Sequence, residues 1–297
     1  MADEIAQLKE KIRELELEVE EREKDIATFR KELVSANRKL ESMIGELNHE
    51  LKIVHAMQRQ IVPTEIPNIP GFEFSMKFMP SHHRGGDYFD VFEHEDRSQF
   101  GIIVASSSGH MMSALLLSVL LKMTGRLEAK KGAEPHLIMK MIADELMPNI
   151  DANDSADIFY GLFDRRTFAL TYCRAGDVTA MMQDYSSNEL KLLKSKTGPL
   201  SKGSSLDFET QSVALNPRDK LIFCTKGLVE SRNLDGEEFG QDRLFKSILE
   251  YSSRGVHELR NQLFFQVHKF TNGQEPLRDR TVLVAEVKDR VIKLAKK

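Results

Sequence analysis

The sequence predicts an α+β layered domain carried behind a long coiled-coil helix. Two seven-residue apolar series run together through about the first sixty residues. After Pro70 the pattern changes to many short β-like runs in hairpin-like succession, with helical runs grouped in pairs among them.

The helix comes first. Stepping by seven from Ile5 meets Ile12, Val19, Ile26, Leu33, Leu40, Leu47 and Val54, all apolar. Stepping from Leu8 meets Leu15, Arg22, Phe29, Ala36, Met43, Glu50 and Met57, apolar except at Arg22 and Glu50. These are the a and d positions of a coiled coil, and no proline or glycine interrupts them before Gly45. β-branched residues at the early a positions with leucine at d favour two parallel strands. The flanking charges agree: Glu4–Lys9, Lys11–Glu16 and Asp25–Arg30 attract across a parallel dimer, and Glu18–Glu23 repels. A parallel homodimer with a rod about 80 Å long is expected.

Pro63, Pro67 and Pro70 end the helix, because proline cannot continue it and pushes its predecessor into extended conformations. Strands are then expected at FEFSMKFMP, QFGIIVAS, IFYGLFD, FALTYCRAG, TAMMQD, ELKLLK, FETQSVAL, KLIFCT and TVLVAEV. Helices are expected at HMMSALLLSVLLKMTGRLEAKK, HLIMKMIADELMPNI, GQDRLFKSILEYS and VHELRNQLFFQVHKF. The expected organisation is a dimerisation and linker helix over 1–62, a globular domain over 63–290 and a basic tail over 291–297. With 41% apolar and 30% charged residues the chain can build a core, and a net charge of −4 excludes a general nucleic-acid binder. No run is long and apolar enough to span a bilayer, and the acidic, helical N-terminus is unlike a signal peptide. A cytoplasmic protein is expected. Cys173 and Cys224 lie in apolar strand-like runs and read as buried free thiols.

The order of several motifs is more specific. HAMQRQIVP followed by GFEFSMKFMPSHHRGGDYFDVF resembles the entry to the bacterial SpoIIE/RsbU group of PPM (type 2C) phosphatases. GIIVASSSGHMMSALL lies where that family carries IADVSGHG-AAL, YCRAGDVTAMM where it carries NAGHNPP, and TGPL where it carries G-x-PLG. NPRDKLIFCTKGLVESRNLDGEEFGQDRL is similar to PGDxLxLYTDGVTEAxNxxGExFGxxRL, and RDRTVLVAEV to DDxTxLVxxx. The resemblance runs in order from about residue 50 to residue 287. It implies an αββα sandwich of two antiparallel sheets flanked by helices, with a two-metal site at one end.

Such enzymes hold two divalent cations, usually Mn or Mg, on carboxylates, and a metal-activated water attacks a phosphoserine or phosphothreonine. The resemblance places that site at Asp87, Asp90, Ser106 and Gly109, and at Lys226, Arg278 and Asp279. Asp87, Asp90 and Asp279 keep the acid. The metal-bridging aspartate falls at Ser106, the aspartate of TDG at Lys226, and the first aspartate of DDxT at Arg278. Aspartate to lysine or arginine changes local charge by two units, and to serine by one, so the site gains about five positive charges. At an effective dielectric of about 20, unit charges 4 Å apart interact by roughly 4 kcal/mol, so a cation would meet repulsion where relatives offer ligands. The two-metal site is therefore not expected to form and no cofactor is expected. Lys226 and Arg278 are expected to act as internal counter-ions for Asp87 and Asp90. His82 and His83 read as solvated loop residues, and Ser106 to Ser108 have no His/Asp arrangement for nucleophilic catalysis.

Three functions follow. One is a pseudophosphatase that acts as a signalling or scaffold protein. It would bind a protein partner, such as a STAS-type regulator, an active phosphatase or a sensor. Another is a weak or unconventional phosphatase that uses Mn or Mg. The last is a non-hydrolysing phosphate-binding module built on Arg84, Lys226 and Arg278.

Overall fold

The computed structural model describes residues 2–61, 65–81, 86–108, 132–204 and 207–288. His82, His83, Arg84, Gly109, the helical run expected at 110–131 and the basic tail lie outside the described residues. The chain divides into two compact units, Met1–Ile53 and Val54–Lys297.

Helix α1 spans Ala2–Ile61. The large apolar residues of its heptad seam, from Ile5 to Leu47, are between 49% and 68% exposed. Exposed i,i+3 and i,i+4 pairs such as Lys11–Glu14, Arg22–Glu18 and Lys24–Glu20 support the helix. The side chain of Val54 lies outside the described residues.

Among its described residues the second unit contains ten strands: β1 (Phe72–Met79), β2 (Tyr88–Glu93), β3 (Gln99–Ser107), β4 (Ala156–Asp164), β5 (Ala169–Ala175), β6 (Thr179–Gln183), β7 (Leu190–Leu192), β8 (Gln211–Ala214), β9 (Lys220–Cys224) and β10 (Arg280–Val287). They form two five-stranded sheets, with orders β1-β10-β9-β6-β7 and β2-β3-β4-β5-β8. Every pairing within them is antiparallel. The helices are α2 (Pro135–Leu146), the short α3 (Lys226–Val229), α4 (Gly240–Tyr251) and α5 (Val256–Phe270).

Successive strand residues point to opposite faces, so each sheet feeds two apolar layers. Phe89, Val91, Ile102, Val104 and Phe159 of one sheet meet Ala180, Leu221, Phe223 and Leu283 of the other in the central core. Phe159 and Phe223 meet across it with ring centroids 4.9 Å apart. On one outer face Ile103, Ile158 and Tyr160 pack on Ile138, Met139 and Ile142 of α2. On the other, Ile222, Val282 and Val284 pack on Leu244 and Ile248 of α4 and Leu259 and Leu263 of α5. This is the α/β/β/α layering that the resemblance implies. Both cysteines are buried and free. Strand β2 is not among the runs read from the sequence as strands. Five of its six residues are buried, so it offers no polar/apolar alternation to read. Among the described residues, no helix is long and apolar enough to cross a membrane.

Candidate functional site

The central layer ends in polar residues where β2, β3, β9 and β10 come together. Strand alternation decides which side chains arrive there. Ser106 continues the inward-facing series of Ile102 and Val104 on β3, and Thr281 that of Leu283 on β10. Thr225 continues the series of Leu221 and Phe223 just past β9. Asp87 precedes β2 on the side of Phe89 and Val91 and is only 2% exposed.

All three hydroxyls converge on Asp87. Ser106 Oγ donates to Oδ1 at 2.8 Å, while Thr225 Oγ1 and Thr281 Oγ1 donate to Oδ2 at 2.5 and 2.7 Å. The two threonines are held together by the Thr281 N–H, which donates to Thr225 Oγ1 at 3.0 Å. Asp279 sits beside this group and holds the chain ahead of β2. Its Oδ1 accepts the Ser81 N–H at 2.7 Å, and its Oδ2 accepts the N–H groups of Gly86 and Asp87 at 2.9 and 3.3 Å. The start of α3 passes so close to this turn that a Cβ on Gly227 would strike the backbone oxygen of Asp279. Only glycine fits there. Burial first, and the neighbouring Asp279 second, push the Asp87 carboxyl up to about 8 against the opposing pull of the three hydroxyls.

The cations expected to neutralise this site are turned elsewhere, which corrects the counter-ion expectation. Lys226 Nζ lies 2.8 Å from Asp157 Oδ2 and 3.7 Å from Asp177 Oδ2. Asp157 stands on β4 directly across from Ser106 and is buried, and its Oδ1 accepts the Asp177 N–H at 2.9 Å. The turn that delivers Asp177 passes through Gly176 at φ +75°, where a Cβ would strike Asp157. Arg278 pairs instead with Glu230, Nε to Oε2 3.3 Å. Lys226 and Arg278 each found an acid closer than Asp87, whose charge is met by hydroxyls and by its raised proton affinity. Asp90 lies on the opposite face of β2, in the series of Tyr88 and Phe92 against α2, and the Tyr88 hydroxyl is 3.3 Å from its Oδ2.

Asp87, Ser106 and Asp279 are thus brought together, Lys226 reaches their edge, and Asp90 and Arg278 face away. Sequence reasoning did not single out Thr225, Thr281, Asp157 or Asp177. The strand parity that sets the two threonines in line with the core was readable from KLIFCT and TVLVAEV, with Phe223 and Leu283 as the inward markers. Among the described residues, no three His, Cys, Asp or Glu side chains are grouped so as to hold a metal ion.

Residues 96–288 match the family of Stage II sporulation protein E (SpoIIE). The chain belongs to the SpoIIE family. The relatives include the phosphoserine phosphatase RsbU of Bacillus subtilis, 21% identical over 238 residues that cover 80% of this chain and 70% of RsbU. The phosphoserine phosphatase RsbP of the same organism is 23% identical over 186 residues, 61% of this chain but only 45% of RsbP. Among solved structures, the SiaA-PP2C domain of Pseudomonas aeruginosa superposes with a TM-score of 0.66 at 18% identity. That match covers 82% of this chain and 98% of the SiaA domain. The PP2C domain of Bacillus subtilis SpoIIE, solved with a fragment of its regulatory domain, gives a TM-score of 0.62 at 15% identity. It covers 73% of this chain and 63% of that one. At these identities the structural likeness shows the fold, and the family match agrees with the layering described above.

The raised carboxyl gives this SpoIIE-family chain a distinct pH response. Between its unfolded value of 3.8 and its folded value of about 8, Asp87 is protonated in the native state and ionised in the unfolded one. Its contribution is complete below pH 4 and is lost as pH rises through 8, by up to about 1.4 kcal/mol per unit. Asp87→Asn should therefore flatten the fall in unfolding free energy between pH 5 and pH 8, as measured by urea denaturation across that range.

Proposed function

We propose that this chain is a pseudophosphatase of the SpoIIE family. It binds a protein partner through its phosphatase-like surface and transmits or scaffolds a signal without hydrolysing phosphate. The observation that carries this reading is the occupancy of Asp87. Both oxygens of the Asp87 carboxyl are engaged by hydroxyls, and those hydroxyls come from both sheets.

The residues present do not suit two hard cations. Divalent Mn or Mg wants oxygen ligands that are free and negatively charged. Ser106 offers a hydroxyl already committed to Asp87, and Asp279 has both oxygens engaged by backbone N–H groups. The ammonium of Lys226 stands at the edge of the group, locked to Asp157. Asp87 itself has both oxygens engaged by hydroxyls. No step of hydrolysis is therefore assigned to these residues.

Two of the relatives are phosphoserine phosphatases. What this reading takes from them is a partner that carries, or once carried, a phosphoserine, of which a STAS-type regulator is one kind. An active phosphatase or a sensor would serve the same switching logic. The exposed apolar seam of α1 fits a second copy of the same helix, with the charge pairing that favours the parallel register.

Two measurements test this. The chain supplied with excess Mn or Mg should show no turnover of a phosphoserine substrate. The double variant Ser106→Asp, Lys226→Asp, at the two replaced positions that reach the Asp87 group, should gain saturable Mn²⁺ binding that the parent chain lacks. Manganese-dependent turnover by the unaltered chain would sink the reading in favour of a working phosphatase. For the seam, sedimentation equilibrium should give a dimer that Ile26→Glu together with Leu33→Glu dissociates, and a monomeric parent chain would refute the rod as a dimerisation device.

A further inference from the structure

On the outer face of the β1-β10-β9-β6-β7 sheet, away from Asp87, a cavity of about 710 Å³ opens between α3 and the turn that leads into β10. That volume is typical of sites for small organic ligands. Arg280 lines it from the first position of β10, facing opposite to Thr281 because successive strand residues alternate.

Arg280 is the unusual member of the wall. It is only 4% exposed, yet among the described residues its guanidinium makes no hydrogen bond and no ion pair, and its Nε is buried without a partner. Arg165 and Arg174 also leave Nε without a partner, but their terminal nitrogens are used: Arg165 donates to the carbonyl oxygens of Arg97 and Pro70, and Arg174 to that of Val178. Arginine stays charged in a protein, and burying a charge without a counter-ion is costly. The other two cations of the wall are already satisfied: Arg278 by Glu230 at 3.3 Å and Arg232 by Glu238 at 2.8 Å. Arg280 is the cation left over.

We infer that this cavity is a binding site for an organic monocarboxylate, with Arg280 as the residue that engages the carboxylate. A guanidinium offers parallel N–H donors that match the two oxygens of one carboxylate. The charge count selects a monoanion over a dianion such as phosphate. Glu230 and Glu238 hold Arg278 and Arg232, which leaves Arg280 to meet one negative charge, while a second charge on the ligand would face the acids Glu230, Glu238 and Glu275 around the cavity. The volume calls for a body larger than acetate behind the carboxylate, and Leu277 supplies an apolar surface for it. This site stands on a different face from the Asp87 group and does not depend on whether that group turns over substrate.

The test is calorimetric titration of the full chain with acetate, benzoate and 2-naphthoate, and with inorganic phosphate. Saturable binding that strengthens with the size of the carboxylate is expected. Arg280→Gln should weaken it at least about tenfold, the loss expected for a charged hydrogen bond. Leu277→Trp should do the same by filling the cavity from a position that is 61% exposed, which keeps the test sound if Arg280→Gln fails to fold. No saturable binding of any carboxylate, equal affinity in parent and Leu277→Trp chains, or tighter binding of phosphate than of benzoate would each overturn the inference.

Discussion

Where β2, β3, β9 and β10 meet, the two sheets of the sandwich are tied through the carboxylate of Asp87, which accepts Ser106 from one sheet and Thr225 and Thr281 from the other. The central core between the sheets is built of apolar side chains, which pack without fixing direction. Hydrogen bonds to a buried carboxylate are directional, and removing one donor leaves a polar group without compensation. The neighbouring features follow from keeping this tie in place. Asp279 pins the backbone that presents Asp87, and Gly227 lets α3 start against Asp279 without a clash.

The charge arithmetic drawn from the motifs changes once the structure supplies the missing acids. Counting Ser106, Lys226 and Arg278 alone gives a site that gains about five positive charges. Asp157 and Asp177 meet Lys226, and Glu230 meets Arg278. Each cation thus has its own local partner. The pair Lys226–Asp157 is half-sheltered, and removing Lys226 would leave the buried Asp157 without its counter-ion. That dependence locks the two residues to each other.

Much of the fold was legible because its signals are local. The heptads of α1, the alternation in β1 and β5, and the apolar faces of α2, α4 and α5 all lie within short windows. β2 escaped because burial on both faces erases the alternation. Of the site, Asp87, Ser106 and Asp279 were placed by their motifs. The partners of Lys226 and Arg278 were not, because they depend on sheet register and face. Asp157 reaches Lys226 only because β3 and β4 pair Ser106 with Asp157. Asp90 stands three residues after Asp87, an odd spacing that sends it to the other face. Arg280 was passed over because its lack of a partner is a property of the surrounding fold and leaves no mark in the string RDRT.

Asp87 is held by hydroxyls where the family resemblance implies a metal ligand. The most direct test is titration of Mn²⁺ into the chelator-treated chain, followed by calorimetry and by thermal unfolding on the same samples. A ligand that binds only the native state raises the melting temperature, and the rise grows with the logarithm of its concentration above Kd. The hydroxyl-held site predicts no saturable heat and an unchanged melting temperature at millimolar Mn²⁺. Saturable binding of two ions per chain, with a rise in melting temperature that Asp87→Asn abolishes, would contradict it.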